Sequence, residues 1–285
     1  MSSTSQADGP LAYSWHRDDF ECKIGFRRSR FTRVSSFLWF VAALILTIAT
    51  YGVMGIFPDH PFVEMFTKRG PVQYVIVLFA YWSLLTLLMK MRKTRLQAKA
   101  LDFTDMVPNH ADFVLSPATV NQVLTRLRTS CDDPTRFILF NRIELALSNL
   151  KNMGRIGDVD DVLRSQALND EDVMESSYSL IKGLIWAIPV LGFIGTVQGL
   201  SRAIGGFGSV LNQTSEISEL RPALQKVTGG LSVAFETTFV ALIAALIIQL
   251  FLTVVRKGEE QLLDDCKEYC QRHVISRLRI VWEGN

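Results

Sequence analysis

Four stretches of the chain are apolar and free of charge for long enough to cross a bilayer: residues 34–58, 71–89, 183–201 and 227–255, the last broken only by Glu236. A hydrocarbon core of roughly 30 Å takes about 20 helical residues. Each run is therefore predicted to be a membrane-spanning helix. The first lies behind a long, mostly polar segment with no short apolar run and small-residue cleavage site, and it is read as a retained helix, not a signal peptide.

Between the second and third runs the pattern changes to helical periodicity. Ser116 and Pro117 read as an N-cap and first helical position, followed by Val120, Val123, Leu124 and Leu127 at three and four spacing. A second helix is carried by Phe137, Ile138, Phe140, Ile143, Leu145, Ala146 and Leu150, and stops at the Gly154 to Gly157 stretch. A third starts near Asp158 and is free to run into the membrane. In the tail, Leu263, Cys266, Cys270, Val274 and Leu278 form one stripe of an amphipathic helix over residues 259–282, which needs a surface to cover it. No strand-like alternation of useful length occurs, so the class is all-α, a polytopic membrane protein. The predicted organisation is an N-terminal segment 1–33, peripheral membrane helices 34–89, a helical segment 90–182, a second membrane pair 183–255 and a C-terminal helix 256–285.

Charge sets the expected orientation. Arg17, Lys23, Arg27, Arg28, Arg30 and Arg33 precede the first run, and Lys90, Arg92, Lys93, Arg95 and Lys99 follow the second. Lys68 and Arg69 in the first outer connection are balanced by Asp59 and Glu64, the connection 202–226 is similarly balanced, and Arg256 and Lys257 follow the fourth run. By the positive-inside rule both termini and the segment 90–182 are cytoplasmic. Composition agrees with a membrane protein: 48% of the 285 residues are hydrophobic and 20% charged. The net charge of +2 gives no global basic surface for nucleic acid. Cys22, Cys131, Cys266 and Cys270 make neither a disulfide framework nor a paired metal motif, and are expected as free thiols in a reducing compartment.

The two membrane pairs differ in residue type. Phe37 to Phe57 and Val72 to Met89 are bulky mixtures expected of helices facing lipid, whereas the later pair is rich in small and hydroxyl residues. Gly192, Gly195 and Gly199 fall on one helical face with Thr196 beside it, and Ala234, Thr238, Ala241 and Ala245 repeat the device with Thr237 alongside. Such faces are satisfied by tight helix packing, and membrane threonines often bond to their own helix. Depth favours a further role: Thr196 lies about 7 Å and Thr238 about 10 Å below the same predicted surface at 1.5 Å per residue, so a polar patch there can line a hydrated path. Glu236, a carboxylate inside a span, is a functional candidate by default. It stands about 200° around the helix from Thr238. Pro189 removes a backbone bond to the Ile185 carbonyl and is expected to bend its helix.

These residues resemble a known family. The run from Pro189 to Leu200, PVLGFIGTVQGL, resembles the GLxGTVxG segment of TolQ and ExbB, and the run from Gly230 to Leu242, GLSVAFETTFVAL, resembles their second pore helix and, at Ala234-Phe235 and Thr238-Phe239, that of MotA. Four spans with a large segment after the second is the MotA arrangement. The resemblance implies the channel subunit of an ion-driven motor: a homopentamer around a dimer of a single-span MotB/TolR/ExbD-like protein, whose membrane aspartate carries H+ (or Na+) and whose periplasmic domain names the process powered. It further implies a bacterial inner-membrane location, with Thr196 and Thr238 lining the path, Pro189 matching a pore-helix proline of MotA, and a cytoplasmic effector as a further partner. A pore-helix glutamate of ExbB aligns on Val233, one turn before Glu236. No cofactor is implied.

Two other classes compete. A non-conducting scaffold would use the small faces only to assemble a bundle. An enzyme finds no support: His16, His60, His110 and His273 are scattered, no HExxH or GxSxG occurs, and the runs Asp158, Asp160, Asp161 and Asp170, Glu171, Asp172 read as solvated helix starts.

Overall fold

The computed structural model describes residues 14–23, 25, 31–57, 60–67, 70–102, 114–116, 119–148, 150, 155–211 and 217–279. Asp59, Lys68, Arg69, His110, Pro117, Gly154 and Trp282, and Arg27, Arg28 and Arg30, lie outside the described residues. The described chain is helical: α1 Trp15–Asp18, α2 Phe20–Lys23, α3 Ser36–Met54, α4 Pro61–Thr67, α5 Pro71–Ala98, α6 Val120–Ser130, α7 Ile138–Ser148, α8 Ile156–Ser177, α9 Ser179–Leu211 and α10 Ile217–Tyr269. Among the described residues the one strand-like feature is an isolated parallel bridge between Leu115 and Leu278. Among the described residues four helices are long and apolar enough to cross a membrane.

The chain divides into two compact units, a membrane unit of 36–88 and 178–254 and a second unit of 1–35, 89–177 and 255–285. In the membrane unit α3 turns bulky side chains outward, Phe37, Ile45 and Ile48 among them. That is the exposure expected where lipid is the solvent. Helix α5 departs from the expectation of a lipid-facing span, since Gln73, Ser83 and Thr86 are buried along it. The hydroxyls of Ser83 and Thr86 donate to the carbonyls of Phe79 and Trp82, each 2.8 Å away, so they are satisfied within their own helix.

Helix limits differ from the hydropathy runs for one reason. A charge ends an apolar run but not a helix. Thus α9 continues to Leu211 and α10 begins at Ile217, so both helices extend into the expected connection 202–226. At its other end α10 runs through Arg256 to Tyr269 before a π turn, Cys270–Val274, and a 3-10 turn, Ile275–Arg277. The tail is therefore the continuation of the fourth span and not a separate helix. The third helix of the intervening segment and the third span are likewise separated by Tyr178 alone. Helix α6 starts at Val120 after Thr119 and not at Ser116; the Thr119 hydroxyl accepts from the Ser116 N–H at 2.9 Å.

In the second unit the tail stripe finds its partner within the chain: Leu263, Cys266, Cys270, Val274 and Leu278 are all buried. So are Phe137, Ile138, Phe140, Ile143, Ala146 and Leu150 of the α7 pattern, while Leu145 is exposed. Charges are buried with them. Arg142 on α7 donates through Nε to Asp170 Oδ2 on α8 at 2.7 Å and through a terminal nitrogen to the Leu263 carbonyl on α10 at 3.4 Å. Gln166 donates to the other Asp170 oxygen at 2.8 Å. Asp170 is thus a buried partner in mid-helix and not a solvated helix start. Lys93 meets Glu21 at 2.5 Å and Asp19 at 3.6 Å, and Lys90 meets Glu259 at 3.1 Å, where the Thr32 hydroxyl also donates.

Asp132 fixes the N-terminal helices. It accepts from the Ser14 hydroxyl at 3.0 Å and from the N–H groups of Trp15 at 2.9 Å and His16 at 3.1 Å, while the Trp15 ring, fully buried, stands edge-on to Phe137. Burial alone would raise the Asp132 carboxyl, but these donors outweigh it and hold it below the usual carboxylate range. All four cysteines are free thiols; burial, with the nearby acids adding to it, pushes Cys131 up to about 12.

Two outcomes follow from these contacts. Replacing Asp170 by Ala strands a buried guanidinium and is expected to cost about 3–5 kcal/mol, read as a lowered thermal midpoint in detergent; the double replacement Arg142→Met with Asp170→Leu should recover most of the loss, and failure to recover it would refute the pairing argument. Because the Asp132 pKa is depressed on folding, its stabilisation is present above the unfolded value of about 3.9 and is lost as the pH falls toward the lower folded value. Asp132→Asn should accordingly be less stable than the parent at pH 7, with the gap closing below about pH 4 in a pH series of thermal melts.

Candidate functional site

The contact between α9 and α10 is built on missing side chains. A Cβ placed on Gly192 would lie 2.6 Å from the Ala241 Cβ and 3.2 Å from the Thr238 Cα; one on Gly195 would lie 2.5 Å from the Thr237 Cγ2. On Gly199 it would meet the Ala234 Cβ at 3.0 Å and the Gly230 carbonyl at 3.2 Å. Gly230 reciprocates, since a Cβ there would come within 2.7 Å of the Ala203 Cβ. The three glycines of α9 and the small face of α10 therefore form one continuous seam, extended beyond the expected set by Ala203 and Gly230. Ala234, Ala241 and Ala245 are buried along it. The spacing of Gly199 and Ala203, four apart, and of Gly230 and Ala234, likewise four apart, carried that extension in the sequence.

The backbone approach allows an interhelical hydrogen bond. The Thr238 hydroxyl donates to the Gly192 carbonyl at 2.9 Å, a carbonyl that a side chain at 192 would screen. The Thr196 hydroxyl donates to the Phe193 carbonyl of its own helix at 2.6 Å. The two hydroxyls thus end on adjacent carbonyls of α9, and both threonines are only partly covered. Thr237 is different: it is buried, and its methyl packs against Gly195. Its bulk fills the seam.

Glu236 lies away from that seam and accepts from the Ser232 hydroxyl at 3.0 Å, one helical turn back. The i,i+4 spacing of Ser232 and Glu236 was the available signal for this pair. Helix α9 continues without interruption through Pro189, whose ring leaves the Ile185 carbonyl without its helical N–H donor. Among the described residues no group of three or more His, Cys, Asp or Glu is placed to hold a metal ion.

Chemically, the seam offers a carbonyl pair and two hydroxyls inside an apolar unit, with no charged side chain between residues 183 and 201 and only Glu236 between 227 and 255. Such groups can coordinate a cation, order water or relay a proton, but cannot themselves hold or lose a net proton near neutral pH. No curated protein and no solved structure gives a significant match to the chain. Residues 132–268, which carry the seam and both hydroxyls, match the model of the MotA/TolQ/ExbB proton channel family.

Proposed function

We propose that the chain is the channel-forming subunit of an ion-driven motor in a bacterial inner membrane. Five copies surround a dimer of a single-span partner, and ion movement along the α9–α10 face drives rotation of the ring relative to that dimer. Both termini and the second unit lie in the cytoplasm, and a cytoplasmic effector can engage that unit. The observation that carries the reading is the Thr238 to Gly192 hydrogen bond beside Thr196 in the family-matched segment: polar atoms concentrated on one face of two helices otherwise built for apolar surroundings. The partner supplies the titratable carboxylate that this face lacks, cycling between charged and neutral forms as H+, or in a sodium-driven relative Na+, binds and leaves. Exposed apolar residues on both helices, Phe193 and Val197 on α9 and Phe235, Phe239 and Leu246 on α10, give each copy surface to bury against a neighbour or lipid. The scaffold alternative uses the seam alone and does not need the hydroxyls.

Ion flux into cells carrying the chain with its native partner tests this directly. Thr238→Val keeps the shape of the seam and removes its hydrogen bond, and flux is expected to fall roughly tenfold, the factor that about 1.4 kcal/mol carries; Thr196→Val should act in the same direction. Unchanged flux in both would favour the scaffold. Gly195→Leu is expected to abolish flux by preventing assembly, visible as loss of the oligomer in native mass spectrometry. That same measurement on the unsubstituted chain, purified in mild detergent from its host, should show five copies with two of a small single-span protein. A monomer or dimer without such a companion overturns the proposal.

A further inference from the structure

Helix α5 holds a polar group that the seam does not account for. Gln73, in its first turn, is fully buried. Both the amide oxygen and the amide nitrogen are covered without a hydrogen-bond partner among the described residues. Its depth is set by its neighbour: the Val72 Cγ1 would stand 3.7 Å from a Cβ on Gly195, the glycine against which Thr237 packs. Ile76, nearly one turn on, is buried as well. Gln73 therefore lies at the level of the Gly195–Thr237 contact, in the part of the membrane unit that α5 covers.

The other buried polar residues in the apolar part of α5 behave differently. Ser83 and Thr86 each return a hydroxyl to a carbonyl one turn back, an escape open to a short hydroxyl side chain. A carboxamide carries two N–H donors and an acceptor oxygen, and leaving them unmet in a membrane interior is more costly than at a wet surface. A neighbouring copy or a lipid headgroup cannot meet them, because the side chain is covered by its own chain. Water is small enough to share a buried polar site, and satisfying such groups is its usual role there.

We propose that Gln73 holds water inside the membrane unit beside the Gly195–Thr237 contact and so acts as a positioning residue for the ion path. The ion-path role rests on the channel reading above; the hydration does not. The carboxamide supplies both a donor and an acceptor, so it can orient a bound water in either sense while the neighbouring surfaces stay apolar. It extends the hydrated region from the hydroxyls of α9 and α10 toward α5.

The test is X-ray radiolytic labelling of the full chain in lipid nanodiscs after rapid mixing into water enriched in oxygen-18, read residue by residue by mass spectrometry. Ile76 should incorporate label about fivefold more than Ile188 and Leu87, which are comparably buried but have no reason to adjoin water; Val72, less deeply buried at 9% exposure, is read through its response to the Gln73 variants. Gln73→Met, close in shape and without polar atoms, should bring Ile76 down to that reference and lower Val72, and Gln73→Glu should restore both. Labelling at the reference level in the unsubstituted chain, or labelling indifferent to Gln73→Met, overturns the hydration. Flux separates the two readings. A several-fold loss in Gln73→Met, with assembly intact by native mass spectrometry, supports the positioning role, and unchanged flux in that variant overturns it. Unchanged flux in Thr238→Val and Thr196→Val would overturn the channel reading while leaving the labelling result standing.

Discussion

In a bilayer, two apolar helices gain little from turning away from lipid, because the lipid is as apolar as they are. What holds α9 to α10 must act at short range, and the glycines at 192, 195 and 199 make short range possible. Everything else at the site depends on that closeness. The Thr238 hydroxyl reaches the Gly192 carbonyl only because no side chain stands between them. The Thr237 methyl is held in place because Gly195 leaves room for it. A seam that excludes volume so completely also limits where water can go. Hydrated groups must lie along its edges, where Thr196 and Thr238 remain partly uncovered.

The second unit solves a different problem with charge. Lys90 and Lys93 follow directly on the apolar part of α5, a position where lysines ordinarily reach for headgroups, yet both are buried and paired, with Glu259 and with Glu21 and Asp19. Desolvating a lysine is costly unless a carboxylate and further donors or acceptors complete its shell. Here the Arg33 carbonyl accepts from Lys93 at 2.8 Å and the Ser35 N–H donates to Glu21 at 2.9 Å. Each cluster joins residues distant in sequence: α5 to the N-terminal segment in one, α5 to the continuation of α10 in the other. Arg142 does the same for α7, α8 and α10. Such pairs contribute less to net stability than to fixing one arrangement of helices, since any other arrangement would strand a charge.

How much of this was legible follows from what each signal measures. The four spans were legible because length and hydropathy are linear properties, and the seam was legible because glycines and alanines at three and four spacing can lie only on one face. The extent of α9 and α10 was not: Arg202, Glu219, Arg221 and Lys226 break an apolar run but are tolerated by a helix, as are the charged residues after Arg256. Asp170 sits in an acidic run that looks solvated, and only the fold brings Arg142 to it. Gln73 is flanked by valine, tyrosine and isoleucine, where a single polar residue carries no periodicity.

The distribution of titratable groups finally constrains any mechanism. Along residues 183–201 no side chain is charged, and along 227–255 the sole ionisable carboxylate is Glu236, which bonds Ser232 on a face about 200° from Thr238. A hydroxyl of pKa far above neutrality can relay or coordinate but cannot store a proton between steps. A path past Thr196 and Thr238 therefore needs a group that changes charge within reach of them, and this chain does not place one there in either span. On the channel reading the missing carboxylate has to arrive on another polypeptide. Its neutralisation by the ion is then the event that alters the electrostatics of the face, because the face itself keeps the same charge throughout. A scaffold accounts for the Thr238 to Gly192 bond as interhelical packing, whereas a group that changes charge beside these hydroxyls is a demand that the channel reading alone makes.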